Sequence, residues 1–170
     1  MTPAEATTDY YEKTLIANVM LATKLDASEV ERVKPGDLLD ERNALIWRVV
    51  LDEVRDGGED CPSLVVIDRL KRLGAIDTAG GVDYIDSFVS FAMARPLGPL
   101  SKSTDSVLEA AALRRLSIVA RGVIETAEGH THAAALATLR DALDEIGGEG
   151  AAEVSHAFEA LSTGLGDVFK

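Results

Sequence analysis

The chain has 170 residues, 46% of them hydrophobic, 27% charged and 5% aromatic; this suffices for one good core and is too apolar for a disordered chain. Acidic residues outnumber basic ones 29 to 17, for a formal net charge of −12. Such a surface repels DNA and anionic membrane, because phosphate binding needs cations that displace counterions, so the expected partner is protein.

In chain order, the first predicted helix runs from about Asp9, read as its N-cap, to Lys24, with Leu15, Ile16, Val19 and Met20 on one face. A short helix is expected over Ser28–Val33, then a turn at Lys34-Pro35-Gly36-Asp37. Asp40 is the expected cap of a central helix reaching about Asp56, carrying Leu45, Ile46, Val49, Val50 and Val54, widened by Trp47 and Leu51. Gly57-Gly58 stops it. A third helix begins at Pro62-Ser63 and ends at Leu73, with Val66, Ile67, Leu70 and Leu73 inward. Leu64-Val65-Val66-Ile67 also fits a strand, but the helical period of Asp68 to Leu73 favours helix. Gly80-Gly81 precedes a fourth helix, Val82–Met93, with Ile85, Phe88, Val89 and Ala92 inward.

Arg95-Pro96-Leu97-Gly98-Pro99 then breaks the chain, and a sub-domain boundary is expected there. A long helix follows from about Ser103 to Ala127, with Ser103 or Thr104 near its cap and Leu113, Leu116, Ala120, Val123 and Ala127 along a seam. After Gly129, Thr131 is placed to cap a second long helix to Ile146, with Leu136, Leu139, Leu143 and Ile146 at the same spacing. The short turn implies an antiparallel hairpin. Gly147-Gly148-Glu149-Gly150 is a flexible joint, and the tail from Glu153 to Lys170 is too glycine-broken to be a stable helix alone. The expected organisation is an all-α globule over residues 1–94, a linker at 95–102, a helical hairpin at 103–146 and a joint with a linker-helix segment at 147–170.

Catalytic signals are lacking. There is no Gly-x-x-x-x-Gly-Lys-Ser/Thr phosphate loop, no Gly-x-Ser-x-Gly and no Cys-x-x-Cys. Glu153 and His156 form one Glu-x-x-His, where a di-iron bundle needs two with further glutamates. His130 and His132 at the hairpin turn have no fixed third ligand and read as surface residues. Cys61, the lone cysteine, excludes an intrachain disulfide and reads as an inert thiol suited to a reducing cytosol. The neighbouring acids Asp52-Glu53 and Glu59-Asp60 do not converge as an acid–base pair. With no leader-like N-terminus and no apolar run near the roughly 20 residues a membrane helix needs, a cytoplasmic protein is expected. No catalytic, cofactor-binding or metal residue is assigned. A small helical enzyme stays open only if polar groups converge in a cleft. The residues singled out for interaction are Leu113, Arg114, Arg115, Leu116 and Arg121 on the first hairpin helix and Leu136, Leu139 and Leu143 on the second. Leu108, Ile118, Val119 and Ile124 fall off the main seam, and such leftover apolar surface points to self-association.

The ordered set of segments resembles the N-terminal domain of DnaB-type replicative helicases. The resemblance rests on Glu12 with Leu15-Ile16-Ala17, on the run from Lys34 through Asp40 to Trp47, on Val66–Leu73 followed by Gly74, Gly80-Gly81 and Tyr84-Ile85, and on Leu113-Arg114-Arg115-Leu116. It spans about residues 10–146. Leu38-Leu39 replaces the family's usual aromatic pair, Glu41 stands where proline is common, and the Met93–Ser103 linker is unlike the usual one; a phage-type or actinobacterial-like relative fits these departures.

The resemblance implies a helical globule carrying a hairpin. Hairpins pair into dimers, and three dimers form a collar on a hexameric ring that docks a DnaG-type primase and responds to a helicase loader. It implies no cofactor in this chain, ATP and Mg belonging to a separate motor domain, and no strong direct DNA binding. Two readings follow: the collar portion of a longer helicase, or a freestanding protein of the same fold that binds or regulates a helicase or primase.

Overall fold

A computed structural model describes residues 3–129 and Ala137 of the chain, with side chains described over residues 6–122 and at Ala137. Its elements are α1 (Pro3–Leu21), α2 (Ala27–Arg32), a 3-10 turn η1 (Pro35–Asp37), α3 (Glu41–Arg55), α4 (Ser63–Arg72), α5 (Gly81–Met93) and α6 (Leu100–Gly129). The chain is all-α, as expected; among the described residues there is no strand, and Leu64–Ile67 is helical. Two compact units are present, Met1–Ala111 and Ala112–Lys170.

The first unit is built around α3. Asp40 caps this helix as expected, its carboxylate accepting from the Arg42 N–H. Ile46, Trp47, Val49, Val50, Leu51 and Val54 are buried along it. Trp47 is fully buried, and its indole N–H donates to the Val33 carbonyl at 3.0 Å, giving the one polar atom of the ring a partner and tying α3 to the end of α2. Around it, α1 runs against α5, while α3 also packs on η1, α4, α2 and α1. Leu15, Ile16 and Val19 of α1, Leu70 of α4 and Ile85 and Phe88 of α5 close the core.

Several boundaries differ from the sequence expectation. The first helix begins at Pro3, so Asp9 lies inside it, paired with Lys13 one turn on at 2.8 Å, and is not its cap. The short helix is capped by Asp26, whose side chain accepts from the Ser28 N–H. Leu73 is the C-cap of α4 and lies 61% exposed, beyond the reach of the helical stripe. The last long helix starts at Leu100, not Ser103, and its early turns belong to the first unit. Ser103 and Thr104 are therefore buried mid-helix residues rather than caps, as Val107 and Ala111 are also buried. The Asn18 side-chain amide donates to Ser103 Oγ at 2.6 Å, and Arg32 pairs with Asp105 at 2.7 Å, which fasten these turns to α1 and α2. Leu108, assigned from sequence to leftover hairpin surface, packs instead against this core. The expected joint at 147–170 and, apart from Ala137, the second hairpin helix lie outside the described residues.

The turn before α5 carries a backbone constraint that the sequence signals only as Gly80-Gly81. Gly80 has φ +94, and a Cβ there would sit 2.8 Å from the Tyr84 ring. Gly36, in η1, has open space and an ordinary φ. Gly80→Ala is therefore expected to lower unfolding free energy by about 1–3 kcal/mol through strained backbone and displaced ring. Gly36→Ala should change it by no more than about 0.5 kcal/mol. Urea titration of both variants followed by circular dichroism checks the pair.

Candidate interaction surfaces

The described polar groups converge at one place, where α1, the start of α3 and α5 meet. Glu12 shares the buried stripe of Leu15, Ile16 and Val19, and is only 1% exposed. Its carboxylate accepts from the Leu39 N–H, from the Asp40 N–H at 3.3 Å and from the Asn43 side-chain amide at 2.9 Å. These donors stand at the N-terminus of α3, where unsatisfied N–H groups and the helix dipole favour a negative charge. Asn43 in turn accepts from the Tyr84 hydroxyl at 2.9 Å.

Outside this chain of bonds, Arg42 grips Asp40 through two nitrogens, its shortest contact being 2.6 Å, and lies 4.2 Å from the centre of the Tyr84 ring. The Arg42 guanidinium holds the Asp40 carboxyl below the usual carboxylate value, aided by the Arg42 backbone N–H and opposed by partial burial. Burial, with the Asp40 charge beside it, pushes the Tyr84 hydroxyl up to about 12, so it stays a donor at neutral pH. Each member of this cluster is occupied in holding helices together, which makes it a structural clasp rather than an open catalytic site.

Cys61 is buried, and burial together with the Glu53 and Asp60 charges pushes its thiol up to about 12, in keeping with the inert thiol read from sequence. A shallow groove of about 340 Å³ lies between α3 and α4, lined by Glu53, Leu64, Val65, Asp68, Arg69 and Arg72. Three of its charges are already in ion pairs, Arg69 with Asp56 at 3.0 Å and Arg72 with Asp68.

The interaction residues chosen from sequence fall in the second unit. Leu113 is 58% exposed and Leu116 48% exposed, and their spacing places both on one side of α6 with Ala120 one turn further. Ile118, on another side, is 72% exposed. Arg115 and Arg121 are exposed, Arg114 and Val119 half-buried. Leu136, Leu139 and Leu143 lie outside the described residues, as do the side chains of Val123 and Ile124. The histidines His130, His132 and His156 and Glu153 also lie outside.

Sequence reasoning took Glu12 only as a point of resemblance. The signal that could have found its role is its place three, four and seven residues before Leu15, Ile16 and Val19, on the buried stripe itself.

A helical globule with an internal polar clasp, followed by a helix on which Leu113 and Leu116 are exposed, makes up an all-α domain. No protein-family model matches the chain, and no curated protein matches it by sequence. Among solved structures the fold is that of the N-terminal domain of DnaB helicase from Mycobacterium tuberculosis, with a TM-score of 0.66, 23% sequence identity, and coverage of 82% of this chain and 97% of that one. No helix of the described residues is long and apolar enough to cross a membrane.

Two substitutions test the clasp. Glu12→Ala would strand the Asn43 amide in the interior and remove the partner of two part-buried backbone N–H groups, and is expected to cost about 2–3 kcal/mol of folding stability. For Asp40, the folded-state value is depressed, so the charge-dependent part of its contribution is present above the ordinary value of 3.8 and fades as pH falls below it. Asn is as good an N-cap as Asp, so Asp40→Asn removes mainly the charge pairing with Arg42. The variant should be less stable near neutral pH by about 0.5 kcal/mol, the scale of a solvent-exposed ion pair, and the gap should close in acid. Urea titrations at neutral and acid pH measure it.

Proposed function

We propose that this chain is the N-terminal collar domain of a hexameric replicative DNA helicase, mediating association between subunits and docking of a DnaG-type primase or a helicase loader. The observation that carries the reading is the fold: nearly all of the mycobacterial helicase domain is covered at a TM-score of 0.66. The exposed pair Leu113 and Leu116 supports it, because a helix face of this kind gains by covering itself with another chain. Burying two leucine side chains per subunit is worth about 1.5–3 kcal/mol for each fully buried side chain, a useful share of a modest interface.

In this reading the chain works as a scaffold. Its −12 charge keeps it off the DNA backbone, which is gripped elsewhere in the assembly. ATP and Mg act in a motor domain outside this sequence, and the protein works in the cytoplasm. Self-association would be a dimer, or three dimers in a ring.

The test is sedimentation velocity on the chain and on Leu116→Asp, with circular dichroism of both. The chain is expected to sediment as a dimer or larger species, and the variant as a species at least one step smaller, at least tenfold weaker in association, because a charge would have to be buried in the contact. An unchanged assembly and melting profile in the variant would remove Leu116 from the interface. A chain that stays monomeric and retains no primase C-terminal domain in a co-sedimentation assay would overturn the collar reading.

A further inference from the structure

At the far end of α5 from Tyr84, three side chains form an exposed platform. Tyr10 of α1 meets Phe91 of α5 edge to face, with ring centres 5.7 Å apart. Arg95, just beyond the end of α5, places its guanidinium 5.3 Å from the Phe91 ring centre and 5.7 Å from that of Tyr10. Tyr10 is 41% exposed, Phe91 is half-buried and Arg95 is exposed.

The position of Arg95 is fixed from several sides. Its backbone N–H donates to the Ala92 carbonyl at 3.3 Å, and Pro96 prevents the helix from continuing. A cation at a helix C-terminus is favoured by the macrodipole, and the ring faces hold the guanidinium plane by cation–π attraction.

What sets Arg95 apart is the company it keeps. In this acidic chain, Arg32, Arg42, Arg55, Arg69 and Arg72 each have a carboxylate within ion-pair distance. Among the described residues Arg95 has none, nor do Arg48 and Arg121, but of these three only Arg95 lies against aromatic rings, those of Tyr10 and Phe91. Its five N–H donors, arranged as a planar fork, are thus left for a group outside the molecule, beside two aromatic rings that offer apolar area at low entropic cost.

We infer that the Tyr10–Phe91–Arg95 platform is a docking site for a segment of a partner protein that presents a carboxylate next to an apolar side chain. The carboxylate takes the guanidinium fork, and the apolar side chain lies on the exposed ring surface. Arginine with aromatic rings also suits stacked nucleotide bases. The net charge of −12 weighs against that occupant, since a polyanion is repelled along its whole length while a single acidic residue is repelled little. The inference does not depend on the collar reading, and involves neither Leu113 nor Leu116.

The experiment is selection of a random phage-displayed peptide library on the full 170-residue chain, with counter-binding to Arg95→Ala and Arg95→Lys. Circular dichroism of both variants should match wild type, because the side chain is exposed. Enriched peptides are expected to share an Asp or Glu beside a Leu, Phe or Met, to bind Arg95→Ala at least tenfold more weakly, and to bind Arg95→Lys at intermediate strength. Amide NMR shifts on adding one such peptide should centre on Tyr10, Phe91 and Arg95. Peptides lacking a carboxylate, or peptides that bind Arg95→Ala as well as wild type, would overturn the proposal. So would a single-stranded oligothymidylate that shifts the same residues at lower concentration than any selected peptide.

Discussion

A carboxylate in the interior of a small helical domain is an expensive guest, and the arrangement around Glu12 decides whether the rest can form. Removing a carboxylate from water costs several kcal/mol even after relaxation. Here the cost is offset by three donors, two of them backbone N–H groups at the start of α3 that would otherwise be orphaned. One side chain on α1 therefore finishes the N-terminus of α3. Because Asn43 sits one turn before Trp47, the same contact fixes the rotation of α3 and so aims the indole at the Val33 carbonyl. Tyr84, bonded to Asn43, brings α5 under the same control. The apolar core supplies the driving force, and this polar thread selects one packing out of the several that a Leu-, Val- and Ile-rich interior would tolerate.

The charges of the first unit follow a consistent pattern. Most arginines near a helix end are answered by an acid on the same or an adjoining element, as Arg42 is by Asp40 and Arg32 by Glu29 and Asp105. Exposed pairs of this kind add little stability singly, but they neutralise part of the cationic surface that would attract polyanions. On a surface with a net charge of −12, recognition by shape and apolar contact is favoured, with an unpaired cation supplying orientation. The exposed leucines of α6 and the aromatic platform near the end of α5 are two places among the described residues where apolar surface is laid open.

Much of the helical order is legible from letters alone, because the stripes at Leu15–Ile16–Val19 and Ile46–Val49–Val50 repeat at helical spacing between glycine and proline breaks, and at Val66–Ile67–Leu70 the period of the residues that follow decides against a strand. The errors are local ambiguities. Asp9 ahead of an apolar stripe reads as a cap, yet the same letter one turn before a lysine makes an ion pair inside a helix. Ser103 and Thr104 likewise read as helix-starting residues, and nothing nearby announces that Asn18, 85 positions away, holds one of them in the interior. The platform at Arg95 was illegible for a related reason. Tyr10 and Phe91 are ordinary aromatics in sequence, and only the packing of α1 on α5 brings them under one guanidinium. On α6, helical spacing says that Leu113 and Leu116 share a side but not what faces them.

The single cysteine gives this molecule a built-in gauge of its own opening. Cys61 lies just before α4, fully covered, its thiol held protonated well above neutrality, in a segment clamped by the Leu25 N–H donating to the Glu59 carbonyl at 2.8 Å. An alkylating reagent can reach it only when that segment lifts away from the core, and the exposed sulfur then recovers ordinary reactivity. The rate of thiol modification thus counts excursions of the α3–α4 connection against the background of a closed domain. Because no second cysteine competes, binding of any partner that tightens the first unit is recorded as a slower clock, without a label being introduced.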